Sequence, residues 1–310
     1  MPSNASQEPA EALAPRLAGG PPEAVAADAP EEFARRLGRR RAAGAPVRNL
    51  FVADDRDGVR PPMAQLLSAA TSTAVGGGGR GGQLRLKLYL SLLWICAAPP
   101  HEAVRPSRAW AGLLGLDDPA GRGARRVQDA MRDLQERQMV VIRNRGSAAN
   151  GITPLIEWGT GQPYSTPPEA YNHFKLRRAS PETLAVHRYF RLPSSLWTSG
   201  LITRLGGPGL AMLLVLRCEQ QGADGKPVWF SPDRALNRFG LAESTRRQGL
   251  DQLRAEGLVT SVQQRLSESG DFIDVYRRRL VHTLTMGLDE GVVPAPAQAP
   301  AATVDAFFAQ

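Results

Sequence analysis

Cysteine is scarce in this chain, with two residues, Cys96 and Cys218, among 310. Both lie in apolar runs and read as small core residues rather than as a disulfide or a metal pair. Histidine is nearly as scarce. His101, His173, His187 and His282 have no metal-ligand spacing with cysteine or with one another, so no metal is expected. Long apolar runs are missing as well. The longest, residues 84–98, is too short to cross a bilayer and contains Arg85 and Lys87. The N-terminus carries Glu8 and Glu11 where a secretory leader would be apolar. A cytoplasmic protein with no membrane partner is expected. Catalytic signatures are also lacking: there is no nucleophile elbow and no zincin helix, and the stretch 76–82 (GGGGRGG) lacks the Lys-Ser/Thr of a phosphate-binding loop. Paired carboxylates occur only on charged helix faces. No enzyme activity and no cofactor are expected.

What is present is an uneven positive charge. Lys and Arg number 38 against 30 Asp and Glu, a net +8. Residues 83–145 hold eleven basic and six acidic side chains, a balance of +5, and residues 197–280 hold twelve and nine, a balance of +3. The first 82 residues come to +1 and the last 30 to −3. The excess therefore sits in the two segments that pattern as folded, which favours a polyanionic partner. A composition rich in Ala, Arg, Gly and Pro together explains why the cation is Arg rather than Lys, but not where it lies.

The flanking regions read differently. Residues 1–82 are expected to be a disordered arm rich in Ala, Pro and Gly, with 76–82 as a flexible hinge. Within the arm, 31–41 (EEFARRLGRRR) reads as a solvated charge run in preference to a short basic helix. Residues 159–196 read as a linker whose aromatics pin it to the neighbouring domains, and 289–310 as a disordered tail.

Between the tails the chain repeats itself. In the later copy, Leu210–Cys218 reads as an apolar helix and Val228–Ser231 as a short strand. Ser231 then caps a helix with Pro232 at its first position, and Gly240-Leu241 ends it. A helix over Glu243–Glu256 stops at Gly257, and two strands follow, Leu258–Val262 and Phe272–Leu280. The earlier copy has the same parts. These are a helix over Leu84–Ala98, a second capped by Ser107 and ending at Gly115-Leu116, and a third over Gly121–Gln138. A strand over Met139–Arg143 and a return strand over Ile152–Trp158 complete it. Gly115-Leu116 precedes Gly240-Leu241 by 125 residues, while Met131, Leu134, Met139 and Val140 precede Leu250, Leu253, Leu258 and Val259 by 119. The difference is a longer turn, Asp117–Arg122, in the first copy.

The stretch Gly240–Val259 (GLAESTRRQGLDQLRAEGLV) resembles the turn and recognition helix of bacterial winged-helix regulators of the GntR and MarR kind. The resemblance covers about 20 residues well and the whole module loosely. It implies a mainly α, α+β fold of two tandem winged helix-turn-helix domains, residues 83–158 and 197–288, flanked by disordered tails. It also implies double-stranded DNA as partner, with the N-terminal turns of each recognition helix in a major groove. The residues placed there are Ser244, Thr245, Arg247 and Gln248 in the second copy. In the first they are Arg125, Arg126 and Gln128, with Arg122 in the longer turn. Arg143, Arg145, Arg265 and Arg277 flank the wings and are expected on phosphates. Asp129, Asp133, Asp251 and Glu256 are expected to pair with arginines three or four residues away.

Two residues depart from the pattern. Arg246 stands where an apolar residue is usual and where the first copy has Val127, so its stem passes the core or the helix is rotated. Gly249 lies mid-helix opposite Ala130, which points to a close helix contact. A transcriptional regulator is the first reading of function. A plasmid or phage replication initiator, similar in its tandem plan, is the alternative, and a winged-helix protein-interaction module in chromosome maintenance is a third. Two modules in one chain imitate a dimer, so a monomer and a homodimer both fit, and no effector pocket is legible.

Overall fold

The computed structural model describes residues 30–38, 43–56, 58–68, 80–146, 149–221, 223, 225–268 and 275–285. It is an α+β structure in which about half of the described residues are helical and the strands form small antiparallel sheets.

The first repeated segment opens with α4 (Arg80–Ile95), preceded in the chain by α1 (Pro30–Gly38), β1 (Ala45–Arg48), α2 (Asn49–Val52) and α3 (Pro62–Leu67). After α4 come β2 (Ala103–Val104), α5 (Ser107–Leu113), α6 (Arg122–Glu136), β3 (Val140–Arg143) and β4 (Gly151–Pro154). A middle segment follows, made of α7 (Pro167–Leu176), α8 (Pro181–Val186), β5 (Tyr189–Leu192), α9 (Ser195–Thr198) and α10 (Leu201–Arg204). The second repeated segment is α11 (Gly207–Gln220), α12 (Pro232–Phe239), α13 (Glu243–Ala255), β6 (Val259–Glu268) and β7 (Val275–Leu284).

The two repeated segments share an order of strands as well as of helices. In the first, the short β2 pairs with β4, and β4 with β3, so the strand that comes first lies against the one that comes last. In the second, Val228 bridges to His282 on β7, and β7 pairs with β6 from Val259↔Leu284 onward. The strand expected over Val228–Ser231 is thus reduced to a bridge, and β6 and β7 run further than expected. Residues 269–274, between the two strands, lie outside the described residues.

The helices form where periodicity says they should. α4 and α11 are apolar nearly all round and buried nearly all round. α6 buries Val127, Ala130, Met131 and Leu134, and α13 buries Arg246, Gly249, Leu250 and Leu253 at the same spacing. Ser231 accepts the backbone N–H of Arg234 and opens α12. Gly240, at φ 62°, closes it in the left-handed conformation. Ser107, expected as a cap, is instead the first helical residue of α5. Pro106 occupies the cap position with no side-chain hydrogen bond.

α13 packs on α11 through Gly249. A Cβ there would run into the carbonyl oxygen of Pro208 and lie 2.5 Å from Met212 Cγ. Gln252 reinforces the contact, since its Oε1 accepts the backbone N–H of Gly206 and of Gly209 at 3.0 and 3.1 Å. It thereby satisfies donors that the first turn of α11 leaves free.

Several expectations for the flanks are corrected. Residues 30–38 and 43–68, assigned to a disordered arm, form α1, β1, α2 and α3, and Ala34, Val47, Phe51, Val52, Met63 and Ala64 are fully buried. α1 therefore replaces the solvated charge run: Ala34 faces the core while Arg36 pairs with Glu32 at 2.7 Å outside. Of the proposed hinge, Arg80–Gly82 already belong to α4. The 159–196 linker contains α7, opened by a capping box between Thr166 and Glu169, and α8, capped by Ser180. Its β5 pairs antiparallel with β1, Ala45↔Leu192 to Arg48↔Tyr189. Residues 1–29, 69–79 and 286–310 lie outside the described residues, and with them the rest of the arm, most of the hinge and the C-terminal tail.

One hydrophobic cluster joins α1 and β1 to the two repeated segments and to β5, α9 and α10. Trp94 of α4 stacks on Trp197 of α9 with ring centroids 4.6 Å apart, and Trp197 Nε1 donates to Ser91 Oγ at 2.9 Å. Cys96 and Cys218 are free and buried, and burial pushes the Cys218 thiol up to about 12. Among the described residues no helix is long and apolar enough to cross a membrane.

Candidate nucleic-acid interface

The start of α6 is shaped by the longer turn of the first copy. Asp118 accepts the backbone N–H of Gly121 at 3.1 Å and of Arg122 at 2.8 Å. The hydrogen bond from Arg122 is the main reason the Asp118 carboxyl is held below its usual range. Asp118 is thus a capping group supplied from the turn itself, and Asp in a turn just before a periodic segment was the signal that could have marked it. The Arg122 side chain stays exposed, 3.9 Å from Asp118. Arg125, Arg126 and Gln128 are exposed along the next turn, opposite the face that buries Val127, Ala130 and Met131.

On α13, Ser244, Arg247 and Gln248 are exposed and Thr245 is half-buried. Arg246 is on the buried face at 7% exposure, and its Nε has no hydrogen-bond partner. The helix is not rotated to accommodate it, because Gly249, Leu250 and Leu253 occupy the buried positions of Ala130, Met131 and Leu134. The arginine stem instead fills the place of Val127. The two helices therefore present the same outward positions, 125 and 128 on α6 matching 244 and 247 on α13.

The acidic neighbours behave mostly as expected. Arg132 pairs with Asp129 at 3.5 Å, Arg137 with Asp133 at 2.8 Å, and Arg254 with Asp251 at 2.5 Å. Glu256 is the exception, pairing with Arg204 of α10 at 3.0 Å rather than within its own helix. Asp133 has a second partner that sequence reasoning missed, the buried Arg85 of α4 at 2.7 Å.

The hairpins differ. Arg143 is exposed at the end of β3. Arg145 pairs with Glu102 and stays about half exposed. In the longer hairpin, Arg265 is in register with Arg278 and Arg277 with Leu266. Arg279 donates to Gln264 and lies 5.0 Å over the Trp229 ring. The backbone thus brings three successive arginines, Arg277–Arg279, and Arg265 onto one hairpin.

Sequence reasoning also missed what lies behind the turn between α12 and α13. A Cβ on Gly240 would sit 2.8 Å from Arg60 Cγ, 3.0 Å from Ala64 Cβ and 3.3 Å from Pro61 Cδ, so α3 and its approach press directly on that turn. The backbone carbonyl of Arg238 accepts the Asp54 N–H at 2.9 Å, and its side chain pairs with Asp55 and with Glu219. No pattern in residues 53–65 announces this contact.

No family model matches the chain, and neither a curated protein nor a solved structure does.

Proposed function

We propose that this chain binds specific sites on double-stranded DNA through two winged helix-turn-helix modules, and that it serves as a transcriptional regulator. The order helix, strand, helix, helix, hairpin, with the first strand against the last, supports the module assignment in both copies. The observation that carries the DNA reading is the contrast between two sets of arginines. Arg48, Arg85, Arg137, Arg204, Arg238 and Arg254 each have a carboxylate partner. Arg125 and Arg126 of α6 and Arg247 of α13 are exposed and form no ion pair among the described residues. An unneutralised guanidinium on the early turns of an exposed helix suits phosphate oxygens or the O6/N7 edge of guanine. The α13 turn adds Gln248 and Ser244, groups suited to adenine and phosphate.

Selection of bound sequences from random duplexes at about 150 mM salt tests the reading. A motif of two parts spread over about 20 base pairs is expected. Affinity should rise steeply as salt falls. Arg126→Ala and Arg247→Ala should each weaken binding by about 1–3 kcal/mol if they reach bases, or reduce the salt slope by about one if they reach phosphates. No motif and no salt dependence would sink the proposal. Sites that cluster as iterated repeats beside an AT-rich tract, rather than near a promoter, would make the protein a replication initiator instead.

A further inference from the structure

The short helix α3 touches both candidate reading units and both of the helices that support them. On the side of the first copy, Gln65 O accepts from Arg137 Nη1 at 3.3 Å, at the C-terminal cap of α6 and at the opposite end of the helix from Arg125–Gln128. Leu66 O accepts from Arg85 Nε at 3.0 Å, and Ser68 O accepts from the same guanidinium. Arg85 in turn holds Asp133 of α6. On the side of the second copy, Ala64 lies against Gly240, in the turn that leads into α13. Asp54 and Asp55, just upstream, are tied to Arg238 at the end of α12. Leu67 completes the set. A Cβ on Gly82 of α4 would collide with its backbone, and one on Gly207 of α11 would lie 2.9 Å from Leu67 Cδ2. The first helices of the two copies thus begin against the same leucine.

We infer that residues 53–68 form a keystone that fixes the placement of α6 relative to α13, and so sets the spacing and helical phase of the two half-sites that the chain accepts. This rests on the DNA reading above. The physical reason is the effective concentration of the second module once the first is bound. A rigid link makes it high at one separation and close to nil elsewhere, whereas a loose link spreads it over many separations. Specificity for spacing is then held by residues that touch no DNA. Trp94 and Trp197 tie the first copy to the middle segment deeper in the core, while α3 meets the far end of α6 and the turn into α13.

The experiment uses the full chain and the two-part motif recovered by selection, with five base pairs inserted between the halves to turn one half-site by about half a helical turn. Wild type is expected to lose about a hundredfold in affinity on that insertion. Ala64→Glu, which forces a charged chain between α3 and Gly240, should bind the isolated half-sites as wild type does, yet lose less than about tenfold on the insertion. Leu67→Ala combined with Asp55→Asn loosens the same contacts with little added volume and less risk to folding, and should shift the same way. A folded variant that keeps the full spacing penalty would overturn the inference, as would a wild type that binds both halves indifferently to their spacing. Failure to recover any motif would instead count against DNA binding, so the two proposals fail separately.

Discussion

Lys87 shows how far one residue can depart from what its type implies. It lies in α4, 4% exposed, with its Nζ donating to the carbonyl oxygen of Thr203 at 2.9 Å and with no carboxylate beside it. Burial lowers its pKa to about 8. In the unfolded chain the amine holds its proton up to about pH 10.4. Between those values the unfolded state binds more protons than the folded one, so stability rises with pH across the window. Wild type should therefore gain on Lys87→Met by on the order of 2 kcal/mol between pH 7 and pH 10, read as the difference of two denaturant-unfolding series. Parallel pH profiles would show that the amine is not confined as the structure places it. The residue scale was partly legible from sequence. The mid-helix Gly249 points to a close helix contact, and Arg246 to either a stem passing the core or a rotated helix, because each breaks a local period; packing decides for the stem. The pairing of Arg145 with Glu102 was not legible, because no spacing rule links a loop residue to a hairpin 43 positions away.

At the scale of elements, β1 is the clearest case of structure made by a distant partner. Its four residues are all buried, and it pairs with β5 at Tyr189–Leu192. Arg48 at its end forms a fully buried ion pair with Glu157, just beyond β4, and donates to Ser165 O at 2.8 Å. Burial pushes the Glu157 carboxyl up, and the charge of Arg48 pulls it back. Removing one partner of such a pair leaves the other charge uncompensated in the interior. Arg48→Met should therefore cost about 3–5 kcal/mol, and adding Glu157→Gln should recover part of the loss. Denaturant unfolding of the two variants measures both, and a near-neutral Arg48→Met would rule out the pair as the tie between β1 and the first copy. α4, α6, α11, α12 and α13 were legible because each carries its own apolar period and stop signal. β1, α2 and α3 were not. Their composition reads as a disordered arm, and four to six residues are too few to show a period.

For the whole molecule, the shared core decides how the two copies behave. Trp94 and Lys87 of the first copy meet Trp197 and Thr203 of the middle segment, and one apolar cluster includes residues from α1 to β7. The chain should unfold in a single transition, with far-ultraviolet and near-ultraviolet signals coincident. Trp197→Ala should move that transition as a unit, at a cost of about 3–5 kcal/mol. Two separated transitions would mean that the copies are independent domains joined by a linker, as composition alone had it. Local order made most of this protein readable in advance. Turn residues, caps and apolar periods act over a few positions, and they were enough to place the repeated helices and to tell the buried faces of α6 and α13 from the exposed ones. Which arginines are neutralised, that residues 43–68 and 159–196 join through β1 and β5, and that both copies rest on Leu67 were decided by tertiary contact alone. Those outcomes depend on pairs of residues far apart in the chain, and the free energy of such a pair exists only once folding has brought the two together.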